Sequence, residues 1–284
     1  MIEDTTPLPI LDTHQHLWDL DRLRLPWIEK GSVLDRSFLM EEYLREAEGL
    51  NIVKTIYMEV AVNRAQRGEE AEYVLELCAR SDNPMVGAVM GGDPGAPEFG
   101  EFVRRYRDNP HFKGVRGGFQ RAGDGPSPDA IRDVRLLGEL GMRFDLGAGP
   151  PFAAAIRLVE ACPETCFILN HCGNPRVQDE DHEPWRRELA EIAKRPNVVC
   201  KVSGIIASAR PGAWGPADLE PLVLHVLREF GPDRVIFASD WPVCTQVASL
   251  AEWVNALKWI VRNEPLDERR KLFHDNAVAL YAVP

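Results

Sequence analysis

Eight short apolar runs, spread along the chain and separated by segments of helical periodicity, constrain this sequence more than any other feature. They are Ile10–Thr13, Val53–Val60, Met85–Met90, Phe112–Gly117, Met142–Leu146, Cys166–Asn170, Val198–Val202 and Arg234–Ala238. The runs show little apolar–polar alternation, as expected of strands covered on both faces. Strand and helix periods in alternation specify β/α units around a parallel sheet. Seven runs lead into a helical pattern, and the first is held apart from its helix by Gln15–Asp35.

Helix signals fall between the runs. Ser37 is placed to cap FLMEEYLREA, with Phe38, Met40, Leu44 and Ala47 toward the core. Pro151 is placed to start FAAAIRLVEAC. Pro216 and Asp218 open a segment reaching Phe230, with Leu222, Val223, Val226, Leu227 and Phe230 on one side. Leu250, Trp253, Val254, Leu257, Ile260 and Val261 form a wide apolar stripe on the last long helix. Eight such units in 284 residues predict an α/β fold, a (β/α)8 TIM-type barrel forming a single domain over residues 1–284. Such barrels take ~250 residues. The alternative, an open doubly wound sheet, is weakened because the first βα turn lacks G-x-G-x-x-G. Arg121–Pro128 reads as a loop within the domain.

A hydrophobic content of 45% lets the chain bury a sizeable core, while a net charge of −11 argues against nucleic acid or an anionic membrane as partner. A small anionic substrate held by local arginines remains compatible. No run approaches the ~20 apolar residues of a membrane helix. The acidic start MIEDTTPLPI lacks the order of a signal peptide, so a cytoplasmic location is expected. The six cysteines, Cys78, Cys162, Cys166, Cys172, Cys200 and Cys244, are scattered and read as small buried hydrophobes.

In a barrel, function gathers at the carboxyl ends of the strands. The first run ends in His14 and His16, the second near Glu59, and the fourth in Arg116. The fifth supplies Asp145, the sixth Asn170-His171, the seventh Lys201 and Ser203, and the eighth Ser239-Asp240-Trp241. The third offers only Asp93. Residues i and i+2 of a strand share a side, so His14 and His16 can aim both imidazoles at one point, across from His171 or Asp240. Three imidazoles and a carboxylate suit zinc or a similar ion. The same groups can polarise a carbonyl directly, with Asp240 taking a proton from water.

DTHQHLW after the first run, NHCGNP after the sixth, KVSG in the seventh, FASDWP at the eighth and a terminal NAVALY together resemble the amidohydrolase superfamily. The nearest resemblance is to its amidohydrolase-2 branch, which holds sugar-lactone hydrolases and 2-pyrone-4,6-dicarboxylate lactonase. It covers nearly the whole chain. It implies a (β/α)8 hydrolase of carbohydrate metabolism that opens a ring ester, with Asp240 as general base. His14, His16 and His171 would line the site, either as ligands of one ion together with Asp240 or as carbonyl-polarising groups. Arg116 and Lys201 would contact substrate oxygens, so the expected partner is a small molecule.

The fifth run carries Asp145 and no histidine, and the fourth ends in Arg116 where binuclear members carry a bridging lysine. Lys113 lies three residues earlier and should point elsewhere. The expectation is therefore a site with no strictly required cofactor and at most one divalent ion such as zinc. Lys201 has a second reading, as a structural ion pair with Asp145 or Glu59, and Glu59 itself stands among the substrate contacts. Trp18, Trp27 and Trp241 suit either the core or stacking on a sugar face. His111, His182, His225 and His274 read as surface or packing residues. A mononuclear zinc-dependent hydrolase or decarboxylase is the alternative activity. A non-catalytic sugar-acid binding protein is a third reading that no residue favours.

Overall fold

A computed structural model describes residues 8–147 and 149–283 of the chain, so most of MIEDTTPLPI lies outside the described residues. Eight strands follow one another in chain order around a parallel sheet. They are β1 (Ile10–Gln15), β2 (Ile52–Met58), β3 (Met85–Gly91), β4 (Phe112–Gly117), β5 (Arg143–Leu146), β6 (Cys166–Leu169), β7 (Val198–Val202) and β8 (Val235–Phe237). Sequential order rules out the doubly wound alternative, which requires a reversal of strand order.

The seam between β8 and β1 is held by a few specific bonds. Gln15 and Trp241 form an isolated parallel bridge. His16 N donates to Trp241 O at 2.8 Å and Asp240 N to His14 O at 3.0 Å. Thr13 Oγ1 donates to Phe237 O at 2.7 Å. The closing bonds therefore come from the segments that carry His14, His16 and Asp240, and they fix those segments against each other.

Helices α1 (Met40–Glu46), α2 (Arg67–Cys78), α3 (Phe99–Tyr106), α4 (Pro128–Glu139), α5 (Ala153–Ala161), α6 (Glu183–Ala193), α7 (Pro216–Phe230) and α8 (Leu250–Ile260) alternate with the strands. Their apolar stripes and the outward strand residues form one continuous buried cluster. A second cluster fills the barrel with Leu11, Ile56, Met58, Val89, Ile168 and Ile236, and the terminal helix Asn276–Tyr281 packs Ala277 and Tyr281 against it. Each such fully buried side chain contributes about 1.5–3 kcal/mol.

On α7, Pro216 sits in the first turn, where its missing N–H costs nothing, and Asp218 accepts from Gly215 N at 2.8 Å. All six stripe residues of α8 are buried. Two helix starts differ from expectation. Ser37 does not cap α1: its Oγ accepts from Leu20 N at 2.9 Å, and the helix begins at Met40. The cause is an antiparallel bridge between Trp18 and Phe38, which keeps the chain extended past Ser37. Tyr43 rather than Leu44 then faces inward, leaving Leu44 39% exposed. Pro151 belongs to the turn before α5, and Phe152 takes the cap position, its N–H held by Glu188 at 2.8 Å.

Candidate active site

β1 carries the irregularity that shapes the site. Asp12 pairs with Thr55 and Gln15 with Tyr57, so three steps along β1 face two along β2. This is a bulge, which re-aims side chains locally. Leu11 points into the barrel, while Asp12 turns toward α1 and takes a 2.8 Å hydrogen bond from Tyr43 Oη. The extra residue then brings His14, two positions on, back to the interior.

His14, His16 and Asp240 converge there. His14 Nε2 and His16 Nε2 stand 3.1 Å apart. Asp240 Oδ1 lies 3.5 Å from the first and 3.4 Å from the second. His16 Nδ1 meets Met58 O at 2.9 Å. A carbonyl only accepts, so Nδ1 is the donor there and Nε2 is the nitrogen that faces the group. His171 completes the arc, with Nε2 4.0 Å from Asp240 Oδ1 and Nδ1 2.9 Å from Ser203 Oγ.

Asp12 organises the wall behind these groups. It accepts from His14 N at 3.2 Å, Ser239 N at 2.8 Å and Ser239 Oγ at 2.5 Å, in addition to Tyr43. Asp240 then adopts a left-handed backbone, φ 58°, unusual for a residue other than glycine and affordable within so constrained a segment.

Electrostatics assign protonation at neutral pH. Burial, followed by Lys201 and the other imidazoles, pushes His14 well below the usual imidazole range. Burial, against the opposing pull of Asp240, pushes His171 down to about 4. Burial pushes the Asp240 carboxyl up, but His171, His16 and Arg116 outweigh it and hold it below the usual carboxylate range. His14 and His171 are therefore neutral and Asp240 is ionised, a proton acceptor beside uncharged imidazoles.

The convergent donors fit one small divalent ion. Ligands about 2.0–2.1 Å from a tetrahedral zinc are ~3.3 Å apart, close to the observed 3.1, 3.4 and 3.5 Å. Among the described residues, His14, His16 and Asp240 are the one group of this kind, and His171 stands outside it.

A cavity of about 350 Å³ opens over these residues, lined by His16, Trp27, Glu59, Arg116, His171, Asn174 and Asp240 among others. Arg116 donates to Glu59 at 3.2 Å and is 22% exposed, which leaves guanidinium N–H groups for a ligand. Trp27 is 43% exposed, with its Nε1 donating to Val60 O at 2.7 Å.

Three expected substrate contacts are corrected by burial. Lys201 is fully buried and pairs with Asp145 at 2.8 Å, which is the structural alternative. Trp18 and Trp241 are fully buried and stack edge-on against Phe38 behind the wall. Asp93 is engaged by Arg67 and Arg64. His225 packs against Trp185, and His111, His182 and His274 bond locally. The cysteines are all unpaired, five of them buried. Asn174, Asp12 and the role of Ser203 escaped the sequence reading. Asp12 carried one usable signal: a charge inside a buried apolar strand must find several donors.

The chain belongs to the amidohydrolase family, whose sequence profile matches residues 11–283. Among its relatives, a protein named L-fucono-1,5-lactonase of Burkholderia multivorans is 30% identical, over 96% of this chain and 96% of its own. An L-rhamnono-gamma-lactonase of Scheffersomyces stipitis is 23% identical, over 96% and 98%. A solved amidohydrolase from Burkholderia multivorans with bound zinc superposes with a TM-score of 0.85 at 28% identity, over 97% of this chain and 100% of that one.

Proposed function

We propose that this protein is a hydrolase that opens the ring of a sugar-derived lactone. The observation that carries the reading is an ionised, buried Asp240 within 3.4–4.0 Å of three imidazoles at the floor of an open cavity. The lactonase relatives supply the substrate class. In this mechanism a lactone enters with its carbonyl oxygen toward the imidazoles. Asp240 takes a proton from a water molecule, which adds to the carbonyl carbon. The resulting oxyanion accepts hydrogen bonds from the imidazole side of the site. The ring C–O bond then breaks, and the proton on Asp240 passes to the leaving oxygen.

Arg116 and Glu59 meet the substrate's hydroxyl and ring oxygens, and the Trp27 ring offers an apolar face to the sugar. Lys201 is assigned instead to holding Asp145. If an ion is bound, His14, His16 and Asp240 hold it, and it supplies further polarisation of the carbonyl. Six unpaired cysteines suit a reducing compartment such as the cytoplasm. Among the described residues no helix is long and apolar enough to cross a membrane.

The test is a pH-indicator screen of aldonolactones with and without chelator, since ring opening releases a proton. Turnover of at least one sugar lactone is expected, and none across five- and six-membered rings would overturn the reading. The zinc-dependent alternative is favoured by the tetrahedral spacing of the three donors and predicts loss of activity on chelation with recovery on adding zinc.

A further inference from the structure

Ser203 follows β7 and is fully buried. Among the described residues, its hydroxyl has one hydrogen-bond partner, His171 Nδ1 at 2.9 Å. The approach is built into two backbone segments. His171 and Cys172 both take left-handed φ, 54° and 55°. Gly204, at φ 66°, leaves room for the ring, because a Cβ there would stand 2.4 Å from His171 Nδ1.

A neutral imidazole carries one N–H, and its partners decide which nitrogen holds it. If Nδ1 held the proton, it would donate to Ser203 Oγ and leave the hydroxyl hydrogen without an acceptor in the interior. Stranding a buried donor shifts such an equilibrium by roughly ten- to a hundredfold. If the hydroxyl donates to Nδ1, every hydrogen of the pair is used. The Nε2 proton then faces the cavity, and Asp240 at 4.0 Å is too distant to claim it.

We propose that Ser203 is a positioning residue that donates to His171 Nδ1, holding His171 as the Nε2–H tautomer, a hydrogen-bond donor to the substrate's carbonyl oxygen and not a metal ligand. The site then divides its work. His14, His16 and Asp240 form the part able to hold an ion, and His171 presents a fixed N–H to the oxyanion. The second half of this statement rests on the lactonase reading; the tautomer does not.

The tautomer is read by long-range 1H–15N correlation spectra of protein labelled with 15N-histidine. His171, assigned by its loss in His171→Asn, should show the Nε2–H pattern both in metal-stripped protein and after one equivalent of zinc. In Ser203→Ala that pattern should give way to a mixture, with kcat reduced ~10-fold and KM within about twofold, and Ser203→Thr should restore both. An Nδ1–H pattern in the wild type, or loss of Nε2–H on adding zinc, overturns the proposal whether or not any lactone is turned over. An unchanged kcat in Ser203→Ala, with the tautomer altered, overturns the catalytic half alone.

Discussion

The two walls of the cavity are built differently. The β1/β8 wall is buried and over-determined. Asp12 takes hydrogen bonds from His14 N, Ser239 N, Ser239 Oγ and Tyr43 Oη, and the seam bonds tie His14 and His16 to Asp240 and Trp241. The β2/β4 wall is looser. Arg116 reaches Glu59 through one 3.2 Å contact and stays partly open to solvent. Groups that must hold a reacting atom need positions fixed to a fraction of an ångström, and the first wall supplies that. Groups that recognise hydroxyls tolerate a degree of freedom, and the second wall keeps it. On the lactonase reading proposed above, the difference would put the chemistry on one side and selectivity on the other.

The largest effect should come from the stiff wall. Asp240→Asn keeps the shape and removes the proton acceptor, so kcat should fall ~10³-fold or more, with a melting temperature near that of the wild type. Retention of a tenth of the activity would remove Asp240 as the base and, with it, the assignment of chemistry to this wall.

Lys201 lies between the walls and tests where recognition stops. Lys201→Met leaves the Asp145 carboxylate buried and unpaired, at a cost of about 3–5 kcal/mol. Pairing it with Asp145→Leu should recover most of that loss, because both charges then leave the interior together. Chemical denaturation of the single and double variants measures this. If the single variant were as stable as the wild type but raised KM more than tenfold, Lys201 would return to the substrate contacts.

The looser wall should show the opposite profile. Arg116→Ala should raise KM by about 10- to 100-fold, the loss of one charged hydrogen-bonding group at a ligand. Its stability should fall by less than about 1 kcal/mol, since the pair it breaks is partly solvated. Steady-state kinetics on the preferred lactone reads this. A fall in kcat with KM unchanged would mean that Arg116 acts on the transition state, and the division between walls would blur.

The strand ends disclosed His14, His16, His171, Asp240, Glu59 and Arg116 in the sequence because a parallel barrel carries its polar side chains to one rim. The closure of the barrel was legible for the same reason: eight runs in order leave little else. What the sequence concealed depends on single-residue geometry. The β1 bulge moves Asp12 away from the face shared by His14 and His16, and no period-two pattern shows where a register slips. Trp18 and Trp241 sit at strand ends, as a sugar platform would, yet the bridge between Trp18 and Phe38 folds the long first loop back and covers them. Trp27, farther along that loop, reaches the cavity instead. Ser203 was visible only as a polar residue closing a strand, because the nitrogen it selects becomes apparent only once His171 is seen beside it.

The smallest expected effect is in the pH profile, and it is informative because it is small. An imidazole base would give an acid limb near 6.5, its ordinary range. Asp240 is instead held below the usual carboxylate range, and His171 sits near 4. Between pH 7.5 and 5 neither group changes state, so kcat/KM should vary less than about twofold, with the limb at or below about 4. Stability is a poorer probe. Unfolded histidines bind protons below ~6.5 while buried His171 does not, so acid weakens the fold from ~6.5 down to about 4, and the lowered Asp240 acts in the same sense. Glu70, raised to about 8 by burial and by Glu59, acts oppositely: the folded state holds its proton between ~4.5 and 8, so acid strengthens the fold there. The opposing contributions mask each other in a melting curve but not in the turnover of folded enzyme. A limb at pH 6–7 would therefore transfer the base from Asp240 to an imidazole of the cluster.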